Sequence, residues 1–401
     1  MRIAIFAPYL YPFHIGMLES LRKLRSVQEA VLFVSGTYGN YPFEELLEKA
    51  NILKIVDLFG QKIPTINACL QFIAFKPHIV ILFGIESITG IVLYAISRML
   101  RAKTVVIVEE NYVSRLKDAN LLLSSLQMFK KILVKSIYNH ANILVAESKA
   151  SMRYVIEILN IKRKRYKPIY VRPHGILLQP FLTSHTLEPG VAKKMMVRKI
   201  ALPQNVLNKV WVSFMGEPSY NKGADLLLDA IMLLKKTYHK NNYVFLFPGL
   251  PLLRDKRELK TEYVKKLFEL VREGTVVIYP KFPHKLVPIF YQASDIIVLP
   301  SRLLYDSSSD RSPNVAIEAL ASGKIIIASH VGGIPDIVGD AGVYVKPNDP
   351  RSLAMKIIEV LENIQNFTCF RVLATNRARK YFDVRTYALT LLKSILTDRI
   401  F

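Results

Sequence analysis

Cysteine is nearly missing from this chain: Cys69 and Cys369 are the two present, and they lie far apart. They supply neither a disulfide framework nor a C-x-x-C metal pair, so a reducing compartment is expected. Acidic residues are also scarce, 32 against 55 Lys plus Arg, which leaves a net charge of +23. Residues 1–200 carry 28 basic and 13 acidic groups, 28 − 13 = +15; residues 201–401 carry 27 and 19, 27 − 19 = +8. The excess sits in the N-terminal half and implies an anionic partner: nucleic acid, lipid headgroups or a phosphorylated substrate. There is no recognition helix, zinc pattern or aromatic RNA-binding strand, so nucleic acid is not expected as a partner. No long apolar run is present either. The best candidate, Ile79 to Ile96, is broken by Gly84, Glu86, Ser87, Thr89 and Gly90. It reads as a buried strand, a loop and a helix rather than a membrane span. The apolar run of Met1–Pro8 is too short for a secretory signal and ends at Pro8, as a first strand does. Neither internal repeats nor low-complexity segments occur. A cytoplasmic location is expected, with peripheral contact on the inner face of the membrane.

What is there is length and rhythm. The 401 residues, 51% of them hydrophobic, suit two domains of roughly 200 residues each. Both halves alternate short apolar runs with longer amphipathic stretches. Strands are predicted at Ile3–Ala7, Ala30–Val34, Ile79–Phe83, Thr104–Val108 and Ile143–Ala146, then at Val210–Met215, Tyr243–Phe247, Val276–Tyr279, Ile296–Leu299 and Ile325–Ala328. Helical patterns fall between them, at Met17–Leu24, Asp225–Leu234, Thr261–Val271 and Val315–Ala321. This alternation predicts an α/β chain with parallel, doubly wound sheets, since strands buried on both faces read as continuous apolar runs. The rhythm breaks near residues 178–208, which contain Pro180, Pro189, Gly190 and Pro203. The expected domains are 1–185 and 205–375, with an amphipathic helix at about 383–401 after them.

The most informative stretch runs from Val298-Leu-Pro-Ser301 through a polar loop to Asp310-Arg-Ser-Pro-Asn-Val-Ala-Ile-Glu318-Ala-Leu-Ala-Ser-Gly323. A helix is predicted from near Pro313, suited to a first helical position, to Gly323, suited to a C-terminal cap. Helical side chains lean toward the N-terminus, so Asp310 in the loop and Glu318 one turn in can face a ligand at the carboxyl end of the sheet. Carboxylates accept paired sugar hydroxyls. Glu318 also sits among Val315, Ala316, Ile317, Ala319 and Leu320, where an acid without a role is costly.

A second stretch, Trp211 to Gly216 followed by Lys222-Gly223, is strand, glycine, polar loop and helix start. Free amides, the helix dipole and the Lys222 charge favour phosphate there. A third, Ser329-His330-Val-Gly332-Gly333-Ile-Pro335-Asp336, turns on two glycines whose amides can approach an anion or a sugar, or that form a plain tight turn. The first βα loop, Pro8 to Gly16, is aromatic and long, and carries His14 for polar contact with substrate; Gly16 is expected to open the first helix. A lone histidine is more often structural than functional, and that reading stands beside the functional one for both His14 and His174.

Taken together, these stretches resemble the retaining glycosyltransferases of family 4, group 1, which have the GT-B fold. The matching residues are Pro313-Asn314, Glu318-Ala-Leu-Ala-Ser-Gly323, Leu299-Pro-Ser301, Gly332-Gly333-Ile-Pro335-Asp336, Val345-x-Pro347-x-Asp349-Pro350, Lys222-Gly223 and Arg172-Pro-His174-Gly175. The match is dense over about 208–360 and thin before 170. The resemblance implies two Rossmann-like domains facing across a cleft, with the C-terminal helix packing back on the N-terminal one. It implies that the N-terminal domain takes the acceptor and the C-terminal domain the nucleotide-sugar donor, a UDP- or GDP-sugar for example, and that the enzyme is a metal-independent hexosyltransferase without a cofactor. Glu318 would hold the ribose hydroxyls, Asp310 the donor sugar and Lys222 the diphosphate. Amides near Gly332, Gly333, Asn314 and Gly16 would surround phosphates and sugar, and the Tyr279–Phe282 loop would meet the base. Gly216, Arg311 and Val315 complete the implied donor set, and His14 joins Asp310, Glu318 and Lys222 in the catalytic set.

Three positions depart from the family pattern. The first of its two glutamates is Asp310, its arginine beside the Lys222 loop is Glu217, and the Gly-Gly of its first loop is reduced to Gly16. Arg302 or Arg311 is the expected replacement cation. The basic stretch Leu121–Tyr138, with Lys130, Lys131 and Lys135, and the run Lys162–Lys167 suit an anionic membrane surface beside a glycan or lipid-linked acceptor, or else an ordinary packed helix and a solvated loop. Two other functions fit the same features: a sugar-nucleotide epimerase or hydrolase, and a non-catalytic sugar-nucleotide binder.

Overall fold

The computed structural model describes residues 1–35, 49–58, 61–85, 87–108, 121–158, 160–161, 169–184, 186–216, 219–248, 257–304 and 313–397. Glu86, the 162–167 run, Glu217, Asp310 and Arg311 lie outside the described residues. The chain divides into two compact units. One holds Met1–Leu177 and the segment from Asp383 on; the other is built on the residues between.

In the first unit, seven strands form one sheet in the order β3-β2-β1-β6-β7-β8-β9, every pair parallel. They are β1 (Arg2–Ala7), β2 (Glu29–Val34), β3 (Asn51–Ile52), β6 (Ile79–Leu82), β7 (Lys103–Val108), β8 (Ile143–Ala146) and β9 (Ile169–Val171). A separate antiparallel hairpin pairs β4 (Ile55–Leu58) with β5 (Gln61–Pro64). Alternate residues of β1 serve opposite faces. Ile3, Ile5 and Ala7 join one core with helix α1 (Pro12–Arg22), while Ala4 and Phe6 join another with α2 (Ile66–Phe75), α3 (Ile88–Met99) and α4 (Leu121–His140). Burial on both faces is why these strands read as unbroken apolar runs.

The second unit carries β10 (Val210–Ser213), β11 (Tyr243–Pro248), β12 (Val276–Tyr279), β13 (Ile296–Leu299), β14 (Ile325–Ser329) and β15 (Val343–Val345), in the parallel order β12-β11-β10-β13-β14-β15. Its helices include α5 (Ala224–Thr237), α6 (Val287–Ala293), α7 (Asn314–Ala321) and α8 (Ile334–Val338). In both sheets the chain winds outward one way, then jumps back and winds the other. The reversal falls between β1 and β6 in the first unit and between β10 and β13 in the second. Loops leaving the two strands at such a switch point diverge and open a crevice at the carboxyl edge.

The last helix, α9 (Val384–Thr397), belongs to the first unit. Val384, Tyr387, Ala388, Leu391, Leu392 and Ile395 enter the α1 core, and Val384 N donates to Ile176 O at 3.0 Å. Gly16 makes room for this contact: a Cβ there would meet Val384 Cγ1 at 2.8 Å and Leu177 Cδ2 at 2.9 Å.

Ile79 to Ile96, the stretch nearest to a membrane span, is strand β6, a tight loop and α3. No helix among the described residues is long and apolar enough to cross a membrane. The strands that pattern reading does not predict, β3, β4, β5, β9 and β15, hold two to four residues each and have no sustained apolar run. The junction loses the βα rhythm because helices Gln179–Ser184 and Pro189–Lys199 follow one another with no strand between.

Candidate active site

The carboxyl edge of the second sheet gathers most of the residues singled out above. Beside the switch point, β10 runs into Phe214, Met215 and Gly216, which has a φ of +104°. A Cβ at Gly216 would lie 3.7 Å from Val315 Cγ1, so the end of β10 lies against the first turn of α7. The two loops at the switch point are tied to each other. Gly223 has a φ of +69°, and a Cβ there would fall 1.9 Å from Pro300 O. Arg302 N donates to Asn221 O at 2.9 Å. The Arg302 guanidinium lies 4.2 Å from the Tyr220 ring centroid, and its Nη2 donates to Asp225 Oδ2 at 2.5 Å. Glycine is therefore required at 223 by both backbone sign and space. Lys222, half-buried, precedes it at the start of α5.

Glu318 stands one turn into α7, partly exposed to solvent. The Tyr291 hydroxyl from α6 donates to its Oε2 at 2.9 Å. Tyr291 is fully buried, its ring 5.9 Å from that of Phe181. Desolvation in this dense setting pushes the Glu318 carboxyl up to about 7, and the tyrosine bond only partly offsets it. Pro313 is the N-cap of α7 rather than its first helical residue, and Gly323, with a φ of +58°, follows the C-cap Ser322.

After β14, Gly332 has a φ of +57° and is followed by Gly333 in a right-handed conformation. Successive residues of opposite hand turn neighbouring N–H groups the same way and make an anion cradle. Among the described residues, nothing accepts a hydrogen bond from the N–H of Gly332 or Gly333. After β12, Phe282 packs on Phe290 at 5.3 Å and Tyr279 at 5.6 Å, while Tyr279 Oη donates to Phe214 O at 2.9 Å. Gly216, Lys222, Phe282, Asn314, Val315, Glu318, Gly332 and Gly333 thus share one edge of one sheet.

Gly16 and His14 belong to the other unit. Gly16 does not open its helix: α1 begins at Pro12, and Gly16 lies inside it, packed against α9, so its amide is not presented to a ligand. His14 is buried at the switch point of the first sheet, its ring 4.8 Å from that of Phe83 beyond β6. Its Nδ1 accepts from Tyr11 N at 3.2 Å, which leaves the proton on Nε2. Among the described residues, Nε2 is buried and has no hydrogen-bond partner. Burial, helped by nearby His174, pushes the His14 pKa down to about 3, so the ring is a neutral donor at all working pH. His174 Nδ1 bonds Glu147 Oε1 at 3.0 Å.

The expected replacement cation Arg302 is already neutralised by Asp225. Four contributors escape sequence reading: Tyr291, Tyr220, Asp225 and Glu147. Asp225 had a signal, an acid directly after Lys222-Gly223-Ala224; Tyr291 lies 27 residues from Glu318 with no motif to join them.

Residues 209–363 match the family described as glycosyl transferases group 1. A D-inositol 3-phosphate glycosyltransferase of Corynebacterium urealyticum is 26% identical over 63% of this chain and 56% of its own length. A lipopolysaccharide 1,2-N-acetylglucosaminetransferase of Salmonella typhimurium is 33% identical over 32% of each chain. The chain spans about half the length of the first curated relatives it matches, 45% to 56%. The Anabaena HepE protein, solved in complex with UDP and glucose, superimposes with a TM-score of 0.72 at 18% identity, covering 99% of this chain and 100% of that one. The fold is GT-B. The group 1 match covers the whole edge described above, from β10 through β15.

Proposed function

We propose that this protein is a retaining glycosyltransferase of family 4 that moves a sugar from a nucleotide-sugar donor to a hydroxyl acceptor. The observation that carries the proposal is the convergence of Glu318, Lys222-Gly223 and the open Gly332-Gly333 amides at the switch point of a group 1 domain. In HepE the corresponding fold binds UDP and glucose, which supports a nucleotide sugar here.

Glu318 accepts two hydrogen bonds from the ribose hydroxyls in its ionised form. Lys222, the N-terminus of α5 and the two glycine amides take the diphosphate, and Asp310 takes the sugar. The bond from the anomeric carbon to the diphosphate oxygen breaks, and the leaving oxygen gains negative charge. Positive charge spreads over the anomeric carbon and ring oxygen as in other glycosyl transfers. The acceptor oxygen enters from the face that the diphosphate leaves, and its proton passes to the departing diphosphate. That order preserves configuration and needs no cofactor or metal from the protein. The acceptor is a glycan or lipid-linked hydroxyl bound by the first unit.

Product analysis of the full chain with UDP-, GDP- and ADP-sugars and a hydroxyl acceptor tests this. A glycoside with the donor's anomeric configuration is expected. Isomerised or hydrolysed donor as the main product, or binding without turnover, would replace transfer with one of the two other functions.

A further inference from the structure

One layer of the first unit is built from α2, α3 and α4, which share a core against the same sheet face. These three helices contain no Asp or Glu. Their outward sides are apolar to an unusual degree. On α2, Ile66 is 81% exposed and Leu70 54%, and Ile73 continues the stripe one turn on. The helix carries no charged residue at all. On α4, Met128 is 67% exposed and Phe129 and Ile132 are each 59% exposed. At 100° per residue, Met128 and Ile132 form the centre of the outward stripe, with Lys131 and Lys135 along one border and Phe129 along the other. Met99 at the end of α3 is also exposed, next to Arg98 and followed by Arg101.

A solvated helix face normally presents charge of both signs, whereas the described side chains on the outside of these three helices are apolar, uncharged polar or cationic, with no acid on any of the helices. Nucleic acid would need the cations but not the exposed aliphatic stripes. A second copy docking by the same patch would bring like charges together. An anionic bilayer surface satisfies both features: the apolar side chains enter the headgroup boundary, and lysine stems lie flat while their ammonium groups meet lipid phosphates. We propose that the α2–α3–α4 layer docks on a bilayer containing anionic phospholipid.

Co-sedimentation of the full-length protein with vesicles tests the proposal. Phosphatidylcholine vesicles are compared with phosphatidylcholine–phosphatidylglycerol vesicles, at low and high salt. Binding to the anionic vesicles is expected, weakened by salt. Lys131→Glu with Lys135→Glu should lower the partition coefficient more than tenfold, since each lost cation costs roughly fivefold. Ile66→Ser with Leu70→Ser, and Met128→Ser with Ile132→Ser, should lower it while leaving the thermal melting point in place, because all four side chains are exposed. No binding to anionic vesicles, or binding unmoved by either kind of substitution, overturns the proposal. Self-association by light scattering that the same serine substitutions abolish would assign the patch to a second copy instead. The vesicle measurement uses no sugar donor, so its outcome is independent of the transferase reading.

Discussion

At the residue scale, Glu318 and Lys324 set opposite pH dependences. Glu318 is pushed up to about 7, so between its ordinary value of 4.5 and 7 the folded chain holds a proton that the unfolded chain has released. Stability from this group is full below 4.5 and is lost as pH rises to 7. Lys324, buried at the start of β14 with Nζ on Gln292 O at 3.0 Å, is pushed down to about 7 from 10.5 by desolvation. Between those values the unfolded chain holds the extra proton, so stability rises with pH. Thermal melting across pH 4 to 10, with Glu318→Gln and Lys324→Met compared with the parent, checks both limbs. The Gln variant should flatten the descending acid limb, and the Met variant the ascending alkaline limb. If neither limb changes, the two side chains are not the titrating groups. In the proposed role of Glu318 the ionised carboxylate is the better acceptor of ribose hydroxyls, so donor binding should tighten as pH rises through about 7. In Glu318→Gln, calorimetry should find weak, pH-independent binding.

At the element scale, the site depends on how two loops are tied across the switch point. Gly223→Ala sets a Cβ 1.9 Å from Pro300 O on a residue with positive φ. A loss of at least ~2 kcal/mol is expected, about 5 °C in the melting point of a domain this size. A melting point within a degree of the parent's would show that the loop rearranges freely. Arg302 and Asp225 form the other tie, largely buried, with side chains 14% and 20% exposed. A double-mutant cycle with Arg302→Ala and Asp225→Ala should give a coupling of ~1–3 kcal/mol in stability. Additivity would mean the pair contributes nothing beyond its separate contacts. Much of this architecture was legible in the sequence. Strands with an unbroken apolar run read directly, as β8, β12 and β13, four residues each, show by matching their predicted bounds. The α7 helix and its Gly323 cap read directly too. The ties did not, because Arg302–Asp225 and Tyr291–Glu318 join residues brought together only by the sheet. Gly16 was legible as a special position but not for its purpose: its missing Cβ makes room for α9, which returns from the far end of the chain.

The whole molecule is built from two units, each on a doubly wound parallel sheet. The second carries the group 1 match and the residues that suit a nucleotide sugar; the first carries buried His14 and the acid-free helix layer. The segment from Asp383 on completes the core of the first unit, so removing it should expose α1 and lower the melting transition of that unit. The central claim is that the edge between β10 and β13 holds the donor diphosphate and ribose. Calorimetric titration of the full chain with UDP-, GDP- and ADP-glucose, repeated with Lys222→Ala and Glu318→Gln, tests it most directly. The account predicts saturable binding of one of these donors, weakened more than tenfold by each substitution. Absence of binding by all three, or binding that both substitutions leave unchanged, would contradict it.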